Sequence, residues 1–175
     1  MNRMAGHFAR SDPEAAASWA ENFSSQPESA GVIGEVGQNW AARDGQAAVD
    51  WLGSLPAGNG QNAGMHRALS QWAQRDPTAA SEHLSSMAAS EAKDAAVSGF
   101  SRRLAWENPQ AAMSWAESIG SDDQRTESII SVGRAWSKRD ASGAAEWMVS
   151  SGISEDVQQA ILNPPKKDDN ERRRR

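Results

Sequence analysis

Three histidines, three recurrent arginines and two adjacent aspartates are the residues of this chain whose types and spacing could do chemistry. His7, His66 and His83 could supply a general base or metal-binding nitrogens. No two of them stand four residues apart and no HExxH run occurs, so they do not build a helical metal centre. The 175 residues contain no Cys, which removes thiolate metal sites, thiol nucleophiles and disulfides together. Asp122 and Asp123 follow Ser121, and their place is the first turn of a helix, where carboxylates favour the dipole, rather than a catalytic acid pair. There is no GxSxG elbow, no GxxxxGK[ST] phosphate loop and no GxGxxG. Gly58-Asn59-Gly60 reads as a turn lacking the Lys that a phosphate loop requires. The residues therefore point away from an enzyme, and neither a cofactor nor a metal is expected.

Binding is the chemistry left. Arg43, Arg75 and Arg139 each precede an Asp, at 44, 76 and 140. A ladder of guanidinium groups could grip the carboxylates of an acidic partner. The local alternative is preferred: an Arg at the end of a helix stabilises its dipole and pairs with a neighbouring unit. His83 stands where the other copies of the unit carry Trp, so it reads as a partly buried replacement, or else as a recognition residue. Arg43, Arg75, His83 and Arg139 are thus the candidate binding residues. His66 falls beside an apolar face and is expected at the surface.

What positions these residues is a repeat. Asp12, Asp44, Asp76, Asn108 and Asp140 are spaced by 32 residues with no insertion or deletion. The copies read DPEAAASW, DGQAAVDW, DPTAASEH, NPQAAMSW and DASGAAEW. Trp19, Trp51, Trp115 and Trp147 lie seven positions after the anchor, with His83 in the third copy. Phe8, Trp40, Trp72, Leu104 and Trp136 lie four positions before it. Two positions account for seven of the eight Trp, and only Trp106 stands outside them. Because a buried Trp removes ~150–250 Å² from water, it contributes at most ~4–6 kcal/mol. Two per unit offset the weakness of a face built otherwise from alanine.

Asp or Asn is a favoured N-cap, and Pro13, Pro77 and Pro109 occupy the next position, where no donor is needed. A helix therefore starts at each anchor. Its small or apolar positions, such as Ala47, Ala48, Trp51, Leu52 and Leu55, mark one face. It ends near Ser24-Ser25-Gln26-Pro27, Leu55-Pro56-Ala57-Gly58, Gly120-Ser121 and Ser151-Gly152. A second helix completes each period, with Ile33, Val36, Gly37 and Trp40, or Ile129, Val132, Gly133 and Trp136, at helical spacing. Gly37 and Gly133 on that apolar face suit close approach of a neighbour. Ser25 with Glu28, and Ser121 with Gln124, have the spacing of capping boxes. No segment of the body alternates like a strand.

The fold class is all-α: an α-solenoid of stacked helix–turn–helix units with about eleven helices, counting partial terminal ones. Residues 1–162 form one solenoid domain, opening on a partial repeat at 1–11, in which Met1 falls on the second helix's apolar face. Further repeats start at 12, 44, 76, 108 and 140, the last truncated. The first unit looks uncapped, as in a fragment of a longer array. Residues 163–175 read as a disordered charged tail. Its last ten residues hold six basic and three acidic side chains, whereas the other 165 hold twelve and twenty. A body with a net charge of −8 disfavours nucleic acid. No stretch is apolar enough for a membrane span and no signal peptide opens the chain, so the default location is cytoplasmic.

The DP-x-x-A-x-x-W segment resembles the opening of a tetratricopeptide repeat, although the period is 32 rather than about 34. The W-x3-D-P-x-A-A-x2-W unit is more closely similar to bacterial tandem repeats built on Trp, Asp-Pro and Ala-Ala. The resemblance covers residues 1–162. It implies a TPR-like or HEAT-like superhelix and a scaffolding role, and it carries no catalytic residues. The expected function is non-enzymatic binding of a protein or peptide on a curved surface. Self-association end to end, or service as the repeat region of a larger protein, are the alternatives.

Overall fold

The computed structural model describes residues 2–22, 26 and 29–163. Among them are eleven helices and no strand. Odd members are α1 (Asn2–Ser11), α3 (Ser29–Ala41), α5 (Asn59–Arg75), α7 (Glu91–Leu104), α9 (Asp122–Arg139) and α11 (Glu155–Leu162). Even members are α2 (Pro13–Glu21), α4 (Gly45–Ser54), α6 (Pro77–Ser86), α8 (Pro109–Glu117) and α10 (Ala141–Ser151). Met1, Ser24, the Ser25–Glu28 capping box and residues 164–175 lie outside the described residues. Of the expected tail only Asn163 is described, and its N–H closes α11 on the Gln159 carbonyl at 2.8 Å.

Each anchor ends one helix and begins the next. The backbone N–H of Asp12, Asp44, Asp76, Asn108 and Asp140 donates to the carbonyl four residues back, at 2.8–2.9 Å. Their side-chain oxygens accept from the N–H of Ala15, Ala47, Ala79, Ala111 and Gly143, at 2.9–3.0 Å. All five keep φ between −140° and −145°. One residue thus satisfies an orphan donor of the new helix and an orphan carbonyl of the old one. Ser121 caps α9, with Gln124 N–H donating to its Oγ at 3.5 Å, but the expected box is only half formed, since the Ser121 N–H donates to Asp94 rather than to the Gln124 side chain. Gly58-Asn59-Gly60 departs from the expected turn. Gly58, at φ 146°, is the N-cap and α5 starts at Asn59, which gives that helix 17 residues.

The odd helices form a row. Each packs on the next odd helix, and α4, α6 and α8 each bridge the odd helices on either side of them. Ala16, Ala48, Ala80 and Ala112, four past their anchors, are wholly buried, and Ala144 is 1% exposed. Alanine there lets the even helix sit deep between its neighbours. Rings from the two Trp positions meet across the anchor: Trp40 with Trp51 at 5.7 Å, Trp72 with His83 at 5.4 Å, and Trp136 with Trp147 at 6.1 Å. Where Leu104 replaces the ring, Trp115 packs on Phe100 instead, at 5.2 Å.

Two further devices tie the helices together, the first within a unit and the second between units. At the position seventeen past the anchor, Gln61, Lys93 and Arg125 donate to the carbonyls of Leu55, Met87 and Ile119, at 2.7–3.0 Å. These close the C-terminal ends of α4, α6 and α8. The Asp94 carboxylate on α7 accepts from Gly120 N–H and Ser121 N–H, at 2.9 Å each, just before α9. Small residues set the close approaches. A Cβ on Gly37 would touch Leu52 of α4 at 3.1 Å, and one on Gly133 would press into Ile161 of α11 at 2.7 Å. At Gly99 it would overlap the His66 carbonyl, so α5 and α7 touch there backbone to backbone.

Gly99→Ala therefore forces α7 off α5 and is expected to lower stability by about 1–3 kcal/mol. Gly53→Ala is the control. Its Cβ would meet nothing nearer than Met65 Cε at 3.9 Å, and a helical Gly→Ala change at such a site should gain about 0.5–1 kcal/mol. Urea unfolding of the two variants reads both signs.

Candidate binding groove

The four candidate residues from the sequence do not come together. Arg43 Nη1 donates to the Arg10 carbonyl at 2.8 Å, and Arg75 Nη1 donates to the Ala42 carbonyl. Arg10 and Ala42 stand two before their own anchors, so each guanidinium closes the helix end of the preceding unit. The local reading of these arginines is the one the geometry favours, with the neighbour's backbone as their target. Both also line a hollow of about 250 Å³ with Asp44, Trp72 and Asp76. Arg139 is exposed in the last turn of α9. His83 is half-buried against Trp72. Asp122 and Asp123 open α9, with Arg125 paired to Asp122, and do not form an acid pair.

A different set of residues shares one face. On α3, α5, α7 and α9 the buried positions occupy one arc; the positions six before the anchor, and those two before it in or just past the last turn, lie on the opposite side. Gln38, Ser70, Arg102 and Arg134 stand at the first, and Ala42, Gln74, Trp106 and Lys138 at the second. Two hollows open on this side and meet at Arg102. One, of about 620 Å³, is lined by Arg102, Trp106, Ile130, Arg134, Ala135 and Lys138, among others. The second, of about 450 Å³, is lined by His66, Arg67, Gln71, Gln74, Arg102 and Arg103, among others. Trp106, the Trp that the repeat does not place, is 53% exposed, whereas Trp51, Trp72 and Trp136 are buried.

The electrostatics of the groove run against those of the chain. Its cations outnumber its one lining carboxylate, Glu127. Arg67 pairs with Glu35 at 3.4 Å and Arg103 with Glu107 at 2.7 Å. Arg134 is held by two bonds, Nε and Nη2 to the Ala160 carbonyl, at 2.9 and 2.7 Å. Among the described residues, Arg102 and Lys138 have no ion-pair partner. Sequence reasoning missed this set because it looked for recurrence. Only two of the five residues six before an anchor are Arg, and Trp106 looked like an irregularity.

His66 is not the surface residue expected from sequence. Burial, with Arg102 and Arg67 nearby, lowers its pKa to about 4. It is therefore a neutral ring beside cations at pH 7. Among the described residues no group of three His, Cys, Asp or Glu could hold a metal ion. No described helix is long and apolar enough to cross a membrane. The arrangement offers cation, indole and amide groups along one face.

The His66 shift makes stability depend on pH. Between about pH 6.5 and 4 the unfolded chain protonates this ring while the folded chain does not, so stability falls as pH falls through that window. The loss is on the order of 3 kcal/mol at its limit. In urea titrations at pH 7 and pH 4.5, His66→Gln should lose less stability on acidification than the parent; equal losses would show the ring to be solvated.

Comparison of the chain with family models, with curated proteins and with solved structures finds no match.

Proposed function

We propose that this protein is a non-enzymatic binding scaffold. On this reading it is an α-solenoid of 32-residue helix pairs, tetratricopeptide-like in kind, that takes a segment of another protein along the open side of its odd helices. The observation that carries the proposal is one-sided packing. Bridging even helices cover one side of the row, and the other side keeps Arg102, Trp106 and Lys138 exposed. A row of helices with one polar, indented face is the form in which repeat arrays present extended surfaces to partners. The role is argued from the groove itself, because architecture alone does not specify function.

Two measurements test this. Small-angle scattering should give a radius of gyration above the ~16 Å of a compact domain of this length. A compact value would count against the stacked array. An unbiased peptide-display selection on the immobilised chain, followed by hydrogen exchange of the complex, should protect α5, α7 and α9. Protection confined to the even helices, or no enriched peptide, would sink the scaffold reading.

A further inference from the structure

We propose that the groove across α5, α7 and α9 takes an extended acidic peptide with one aromatic or branched apolar side chain, its carboxylates on Arg102 and Arg134 and its apolar group on Trp106. This inference rests on the scaffold reading and names the partner's chemistry.

Charge complementarity is the first support. The first 165 residues carry a net charge of −8, yet this surface gathers Arg102, Arg134 and Lys138 with one lining carboxylate, Glu127, while Arg67 is already paired with Glu35. Concentrating cations in a hollow of an acidic molecule costs self-repulsion, which a bound carboxylate relieves. Guanidinium groups take carboxylates in a two-pronged geometry that a solvated Lys does not impose. Arg102 has its full set of donors available among the described residues. Arg134, already fixed by the Ala160 carbonyl, is a positioned cation whose Nη1 remains.

Spacing is the second. Arg102 and Arg134 occupy the same position of consecutive units, one inter-helix step apart. Packed helices lie roughly 8–10 Å apart. An extended peptide advances about 3.3 Å per residue, so carboxylates three residues apart match that step. Trp106 and Ile130 line the same hollow as the two arginines, a half-apolar floor suited to one ring or branched side chain. A nucleic-acid strand fits less well. Its phosphates continue beyond the groove, over a body of net negative charge.

The test is fluorescence anisotropy on the full chain with three labelled probes. The first is a nonapeptide with glutamate at every third position, one phenylalanine between the first two, and alanine or serine elsewhere. The second replaces each glutamate by glutamine, and the third is a single-stranded oligonucleotide of similar length. The glutamate peptide should bind, and more weakly as salt rises. The glutamine peptide should bind at least about tenfold more weakly. Arg102→Glu and Trp106→Ala, both at exposed positions, should each weaken the glutamate peptide by about tenfold or more, with helicity and melting unchanged. If Arg102→Glu does not fold, Arg102→Gln carries the same comparison. Equal binding of the two peptides would overturn the acidic preference and leave the scaffold reading standing. Tighter binding of the oligonucleotide, no binding of the glutamate peptide, or indifference of its binding to both variants would likewise overturn the proposal. The unbiased selection described above decides the scaffold reading separately.

Discussion

A single residue type, Asp or Asn, closes one helix and opens the next at five places in this chain. The rest of the structure depends on that double cap. Helices of nine to eleven residues, such as α2, α6 and α10, are marginal alone in water. A donor and an acceptor left unmet at each junction would make them more so. With the backbone at the anchor held near φ −140° to −145° in all five copies, the two helices leave the junction at a fixed angle. The angle brings the residues four before and seven after the anchor into ring contact. The cap and the aromatic pair are therefore one device: the cap sets the corner, and the rings fill it.

The second consequence of the corner is the even helix's depth. A fixed angle with alanine four past the anchor seats α4, α6 and α8 between odd neighbours, and the buried face of each odd helix turns toward them. What is left on the other side is surface by default. It is there that the chain departs from its own pattern, with Arg102, Trp106, Arg134 and Lys138 where the earlier units carry Gln38, Ala42, Ser70 and Gln74. The 32-residue spacing of the anchors marks the frame, and residues that depart from the pattern line the groove.

That division explains what could be read from sequence. Eleven helices and the anchors as N-caps follow from spacing, because capping and helical periodicity are local properties; the ring contact between the two Trp positions is seen only in the fold. Gly37 and Gly133 were legible as points of close approach for the same reason. The loop closures by Gln61, Lys93 and Arg125 were not, since three different residue types do one job and share only a long donor. The true target of Arg43 and Arg75, a carbonyl about one unit back, needs the angle between units, which no spacing encodes. Likewise His66 becomes a half-buried neutral ring only once α7 lies against α5 at Gly99. The groove was hidden because periodicity weights what recurs.

The side-chain bonds between units join residues 26 to 33 positions apart, and each helix makes its main contacts no further than two helices along the chain. Such a molecule has little topology to solve. Its loops close early and cheaply, so folding is expected to be quick for its length and able to begin at any junction. The same locality means that opening one unit exposes only its neighbours. The groove spans α5 to α9, away from α1 and α2 and close to α11, through the Arg134 bonds to Ala160. Fraying of α11 would thus free the Arg134 guanidinium at the rim of the groove, tying the order of that helix to the shape of the hollow.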